Sequence, residues 1–265
     1  MDIRTIREAL DAAVIEGETA LDTIVEHVYA SDLMSDVLAF GRANSILLTG
    51  LATQQAVISA HMAEFRGVVF VRGKRPKDGS MSFARDHQLV LLSTGLDMYE
   101  ACVCVGSPVT LRRPPAEAAA EPQIATGILL QKEFPVQGGS FTDAGLVSTE
   151  VKALLKQIGF EPRLVRRVAI STYEGEMNVV MHADRAVVRL AVTPQSIEVI
   201  IEDQGKGIPD ISLAMQAGYT TATEEMRAMG FGSGMGLPNI KSNVDNLHIE
   251  SVVGRGTTLR MRFRV

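Results

Sequence analysis

The sequence predicts two unlike halves: an α/β domain, then an α+β sandwich. Three observations carry this reading. Residues 1–110 alternate short apolar runs with amphipathic stretches. Residues 111–123 hold Pro114, Pro115 and Pro122 and, after Leu111, no large apolar side chain. From residue 124 onward two helical patterns follow one another directly, and strand-like alternation then dominates to the end.

In the first half, apolar β-rich runs at residues 45–49, 67–72 and 89–93 are the strand candidates. Helical patterns cover residues 3–15, 53–65 and 81–87. Strand runs without alternation suit a sheet covered by helices on both faces and at least partly parallel. Cys102 and Cys104, the two cysteines of the chain, are expected on a strand as buried free thiols. A C-x-C alone supports neither a disulfide framework nor a usual zinc site. Arg72, Lys74, Arg75 and Lys77 crowd one Gly/Pro turn. They could hold a phosphate, but a solvated charged loop is the default for such a turn.

Residues 111–123 read as a semi-rigid linker, which divides the chain into 1–110 and 124–265. With 46% hydrophobic residues in 265, separate cores for two domains are expected. A net charge of −5 and a pI near 5.6 argue against general nucleic-acid binding. The N-terminus is charged where a secretory signal is apolar, and no apolar run reaches membrane-spanning length. A cytoplasmic protein with no membrane partner is the expectation.

In the second half a strand at residues 128–136 precedes helical patterns at 141–158 and 163–183. Strands at 186–192 and 196–203 are separated by a short turn and pair antiparallel. Two more, at 247–253 and 257–263, flank the turn Gly254-Arg-Gly256. On the 163–183 helix, Val165, Val168, Ala169, Thr172, Val179 and Val180 share one side. Glu174, Asn178 and His182 stack on the other, four apart. Alone, that is an ordinary polar face. Glu176 falls within the apolar arc, and nothing in the sequence accounts for it. At the helix end, a structural hydrogen bond is the expected role of His182.

Downstream, Asp203 closes a strand, and Gly205 and Gly207 follow at alternate positions. Such glycines let backbone approach a flat ligand, and a carboxylate can accept from an amino group. An ordinary strand-to-loop turn is the competing reading. Gly230, Gly232, Gly234 and Gly236 alternate just before Leu237-Pro238-Asn239. A glycine-rich loop feeding a helix N-terminus presents N–H groups to phosphate oxygens. No Walker A lysine follows.

The stretches Tyr29-Ala-Ser-Asp-Leu-Met-Ser-Asp-Val37, Gly67-Val-Val-Phe-Val-Arg-Gly-Lys-Arg-Pro76 and Leu91-Leu-Ser-Thr-Gly-Leu-Asp-Met-Tyr-Glu-Ala101 make the first half resemble DRTGG regulatory domains. The Asp-Arg pair of that signature is absent after residue 49. The resemblance implies regulation, and self-association as a homodimer through this domain.

Glu174-x-x-x-Asn178, Asp203-x-Gly205-x-Gly207, the glycine-rich loop and Gly254-Arg-Gly-Thr257, in that order, resemble the GHKL fold of gyrase, heat-shock chaperones, histidine kinases and MutL. The fold implied is the Bergerat α+β sandwich, binding ATP and Mg²⁺. By this resemblance Asn178 binds Mg²⁺ and Asp203 accepts from the adenine amino group. Gly205 and Gly207 line the base, Gly230, Gly232, Gly234 and Gly236 belong to the phosphate loop, and Thr257 or Thr258 reaches the adenine side. Residues 211–229 form a lid. No phosphoacceptor helical hairpin precedes this half, and Phe231-Gly-Ser-Gly-Met-Gly-Leu-Pro-Asn-Ile-Lys241 resembles the anti-sigma-factor serine kinases. That branch implies Glu174 as general base and a regulatory protein as partner. A non-catalytic ATP sensor is the alternative that uses the same residues.

Overall fold

The computed structural model describes residues 1–106, 129–228 and 232–265. The 111–123 linker, Gly230 and Phe231 lie outside these. The first half is a five-stranded sheet of β1 (Ala13–Glu16), β2 (His27–Ala30), β3 (Ser45–Thr49), β4 (Gly67–Phe70) and β5 (Val90–Ser93), ordered β1-β5-β4-β3-β2. β2 to β5 run parallel and β1 pairs antiparallel with β5. Strand residues turn alternately to two apolar layers. Ile46, Leu48, Val69, Val90 and Leu92 face one cluster, and Leu47, Val68, Phe70 and Leu91 face the other. That two-sided burial is why these runs show no polar alternation. α1 (Ile3–Ala9) and α5 (Met98–Val105) supply the first cluster. α2 (Met34–Phe40), α3 (Gln54–Met62) and α4 (Asp78–Asp86) supply the second.

The structure corrects three expectations here. The helix read over 3–15 stops at Ala9, and Asp11 takes a left-handed φ of 43° before Ala13 enters the sheet edge. β2 is an additional strand whose short polar-flanked sequence carried no run. The two cysteines sit on α5, opened by a capping box of Asp97 and Glu100. Two residues apart on a helix they face different ways, so Cys102 is half-buried and Cys104 exposed.

The second half is an antiparallel sheet of β6 (Leu130–Gln137), β7 (Ala183–Val192), β8 (Ser196–Gly205), β9 (Asn246–Val252) and β10 (Gly256–Arg264), ordered β6-β7-β8-β10-β9. One face is apolar, with Val188, Leu190, Val199, Ile201, Met261 and Phe263 buried. On the other face Arg189 bridges Glu133 and Glu202 across three strands. α6 (Leu146–Ile158) and α7 (Pro162–His182) cover the apolar face. α7 opens with Pro162 in its first turn and Glu161 capping the Leu164 N–H at 3.2 Å. At Gly175 a Cβ would stand 2.4 Å from Ile201 Cδ1, so glycine leaves room there for the Ile201 side chain between α7 and the sheet. α8 (Ile211–Ala214), α9 (Glu224–Ala228) and α10 (Gly236–Asn243) complete the half. An α/β first half and an α+β sandwich second half are the architecture the sequence predicted.

Glu176 now has an explanation. Its buried carboxylate accepts from the backbone N–H groups of Gly145, Val147 and Ser148, at 2.9, 3.2 and 3.0 Å. Gly145, the residue before α6, has no capping side chain of its own, so a neighbouring helix supplies the cap.

The two cores are not separate. One apolar cluster runs from α2 and α3 through α7 to the second sheet. Polar contacts join the same faces: Ser59 Oγ donates to Tyr173 Oη, Arg166 to the Gly41 carbonyl, and Lys152 to the His61 carbonyl.

Candidate functional site

α7 carries Glu174 and Asn178 one turn apart, and α10 begins opposite them at Gly236. A Cβ on Gly236 would lie 3.4 Å from Glu174 Oε2 and 3.5 Å from Asn178 Oδ1. The two polar side chains therefore converge on the N-terminus of α10, whose first N–H groups have no helical partner. Between these elements opens a cavity of about 500 Å³, a size suited to a nucleotide-scale ligand (roughly 300–1,000 Å³).

Eight of the ten residues singled out in the sequence line it: Glu174, Asn178, Asp203, Gly207, Gly232, Gly234, Gly236 and Thr257. Gly230 lies outside the described residues. Gly205 is not on the wall; it packs behind Asp203 against the His182 carbonyl and Ala183. The backbone N–H groups of Gly205 and Thr257 are the donors nearest in effect to the Asp203 carboxylate. Burial raises the Asp203 pKa, and those two donors oppose the rise. His182, expected to make a structural hydrogen bond, lines the cavity instead. Of the stretch read as a lid, Ala214 and residues 219–222 line the cavity, and Gly218 N–H donates to the Gly234 carbonyl at 3.1 Å.

Glu174 is buried, which is not what a solvated helix face would give. Burial pushes its pKa up to about 7, partly offset by a 2.7 Å hydrogen bond from Asn239 Nδ2. A carboxylate poised near neutrality suits a general base. Asn239, quoted in the sequence motif without a role, is itself buried and holds Glu174 in place.

Three further wall residues that the sequence reading assigned no part in the site, Met34, Ser35 and Leu38, all lie on α2 of the first half. Nothing local marks them; they reach the site because α2 packs on α10.

For Mg²⁺ the fit is good on donor chemistry. Asn178 offers a hard carboxamide oxygen toward the α10 N-terminus. Among the described residues no group of three carboxylate, His or Cys ligands forms a closed cage. Mg²⁺ binds in that open manner, through few protein oxygens together with phosphates and waters.

Residues 142–263 match the family model described as histidine kinase-like ATPase domain. Among proteins similar to this stretch, an anti-sigma F factor of Caldanaerobacter subterraneus is 34% identical over 97 residues, 37% of this chain and 60% of that protein. The serine/threonine-protein kinase RsbT of Bacillus subtilis is 32% identical over 97 residues, covering 37% of this chain and 62% of its own. The chain thus spans about 60% of the length of these curated relatives. A solved structure of the CBS and DRTGG domains of the regulatory region of Clostridium perfringens pyrophosphatase aligns with a TM-score of 0.34 and 12% identity, over 39% of this chain and 45% of that one. Among the described residues no helix is long and apolar enough to cross a membrane.

Proposed function

We propose that the chain is an ATP- and Mg²⁺-dependent serine/threonine protein kinase of the anti-sigma type, acting on a regulatory protein. The observation that carries this is the convergence of Glu174 and Asn178 on Gly236 at the N-terminus of α10. Asp203, with Thr257 beside it, accepts the adenine amino group. Gly232, Gly234 and Gly236 present backbone to the phosphates, with the α10 N-terminus favouring their charge. Asn178 holds Mg²⁺, which when bound neutralises charge on the transferring phosphoryl group. Glu174 takes the proton of the acceptor hydroxyl, oriented for that by Asn239. The similarity to RsbT supports the reading at the level of the ATPase domain.

Residues 1–110 act as a DRTGG-like regulatory domain, tied by the 111–123 linker to the catalytic domain at 124–265, and pair two chains as a homodimer. A second reading, an ATP sensor without transfer, is favoured by one observation: α2 touches the cavity wall and so feels its occupancy. Glu174→Gln separates the two. The kinase reading expects near-normal ATP affinity by calorimetry and transfer to the partner slowed roughly 10²–10⁴-fold. A wild-type chain that binds ATP and controls a co-purified partner, yet places no phosphate on it, would leave only the sensor.

A further inference from the structure

The helix α2 belongs to the first half, yet its first turn stands at the reacting end of the ATPase cavity. Met34 and Leu38 are buried and anchor it, and both line the cavity together with Ser35 between them. Ser35 meets the site through two groups. Its carbonyl accepts from Asn239 Nδ2 at 3.2 Å, and the same nitrogen donates to Glu174 Oε1 at 2.7 Å. The Ser35 backbone carbonyl and the Glu174 carboxylate are therefore bridged by one shared donor, which sets the α2 backbone beside the base. The Ser35 hydroxyl oxygen accepts from Ser233 Oγ at 2.5 Å, and Ser233 lies between Gly232 and Gly234 in the loop assigned to the phosphates. Accepting that bond leaves the Ser35 proton free to be given away.

Nothing in the packing of the first half asks for a hydroxyl at this position. Met34, Val37 and Leu38 make the apolar contacts of α2. What Ser35 does touch is one residue of the phosphate loop and the residue that orients the base.

We propose that Ser35 is a phosphoryl acceptor in cis: the ATPase domain phosphorylates the first half of its own chain. This rests on the kinase reading of Glu174 and the glycine loop. The Ser35 Oγ forms a bond to the γ-phosphorus of ATP, and the bond from that phosphorus to the β,γ-bridging oxygen breaks. ADP leaves with the electron pair, and the hydroxyl proton passes to the Glu174 carboxylate. Holding acceptor and base on one folded chain replaces an encounter between two proteins by a positioned contact.

The test uses the full chain, first treated with a phosphatase, then incubated with Mg²⁺ and γ-labelled ATP. Expected is one phosphate per chain, mapped to Ser35 by peptide mass, formed at a rate independent of protein concentration. A tagged Glu174→Gln chain mixed with wild type stays unlabelled. Without turnover, Ser35→Glu places a carboxylate where the γ-phosphate should come. It should weaken a non-hydrolysable ATP analogue roughly tenfold by like-charge repulsion, with little change for ADP. Phosphate on another residue, or on the tagged chain, overturns acceptance by Ser35 in cis. So does an unlabelled wild type that still binds the analogue with Mg²⁺; in that case the nucleotide site stands and only the acceptor falls. A chain that binds neither analogue nor ADP overturns the kinase reading itself.

Discussion

Truncating Glu176 to alanine tests the inter-helix cap most directly. In the folded chain its carboxylate takes three N–H groups of the turn that opens α6, at 2.9–3.2 Å. Each such bond to a charged acceptor contributes about 1.5–3 kcal/mol. Against this stands the expense of burying the carboxylate, which is several kcal/mol. That burial is the leading cause of the raised Glu176 pKa, and the bonds from Ser148, Val147 and Gly145 counter it. Glu176→Ala removes the buried charge but strands three buried donors, so the net loss should be roughly 3–5 kcal/mol. For a chain of this size that lowers the melting temperature by about 10 °C. Glu176→Gln keeps one acceptor oxygen but turns an amide N–H₂ toward an N–H donor, so an intermediate loss is expected. Urea unfolding followed by circular dichroism gives both numbers. A loss below about 1 kcal/mol for the alanine variant would refute the cap, because orphaned buried donors cannot be that cheap.

Asn178→Ala should weaken ATP binding about tenfold in the presence of Mg²⁺ and hardly at all without it; calorimetry showing equal losses in both would remove Asn178 as the metal ligand. The buried Lys152 bears on pH. Burial lowers its pKa from 10.5 to about 7, countered by Glu64. Between those values the unfolded chain binds the extra proton, so stability rises with pH from about 7 toward 10. Lys152→Met should lack that rise, by an amount on the order of 3–5 kcal/mol; parallel melting curves for both proteins across that range would refute it.

The sequence by itself determined the two fold classes and singled out most of the residues that the fold gathers on one cavity wall, and the reason is local. Strand runs buried on both faces, such as residues 45–49, show themselves as unbroken apolar stretches. Glu174 and Asn178 sit one helical turn apart, Asp203 ends a strand, and the glycines precede a helix; each pattern depends on neighbours in the chain. β1 and β2 were illegible because short edge strands bury little and carry no long periodic signal. Only the tertiary structure decided what Glu176 is for, since its three donors lie about thirty residues upstream on another helix. The same holds for α2. Ser35 and Asn239 are 204 positions apart, and no periodicity reports a contact across that distance. The burial that lifts Glu174 toward neutrality is likewise a property of packed neighbours rather than of its own helix face, because desolvation depends on everything that excludes water from the group.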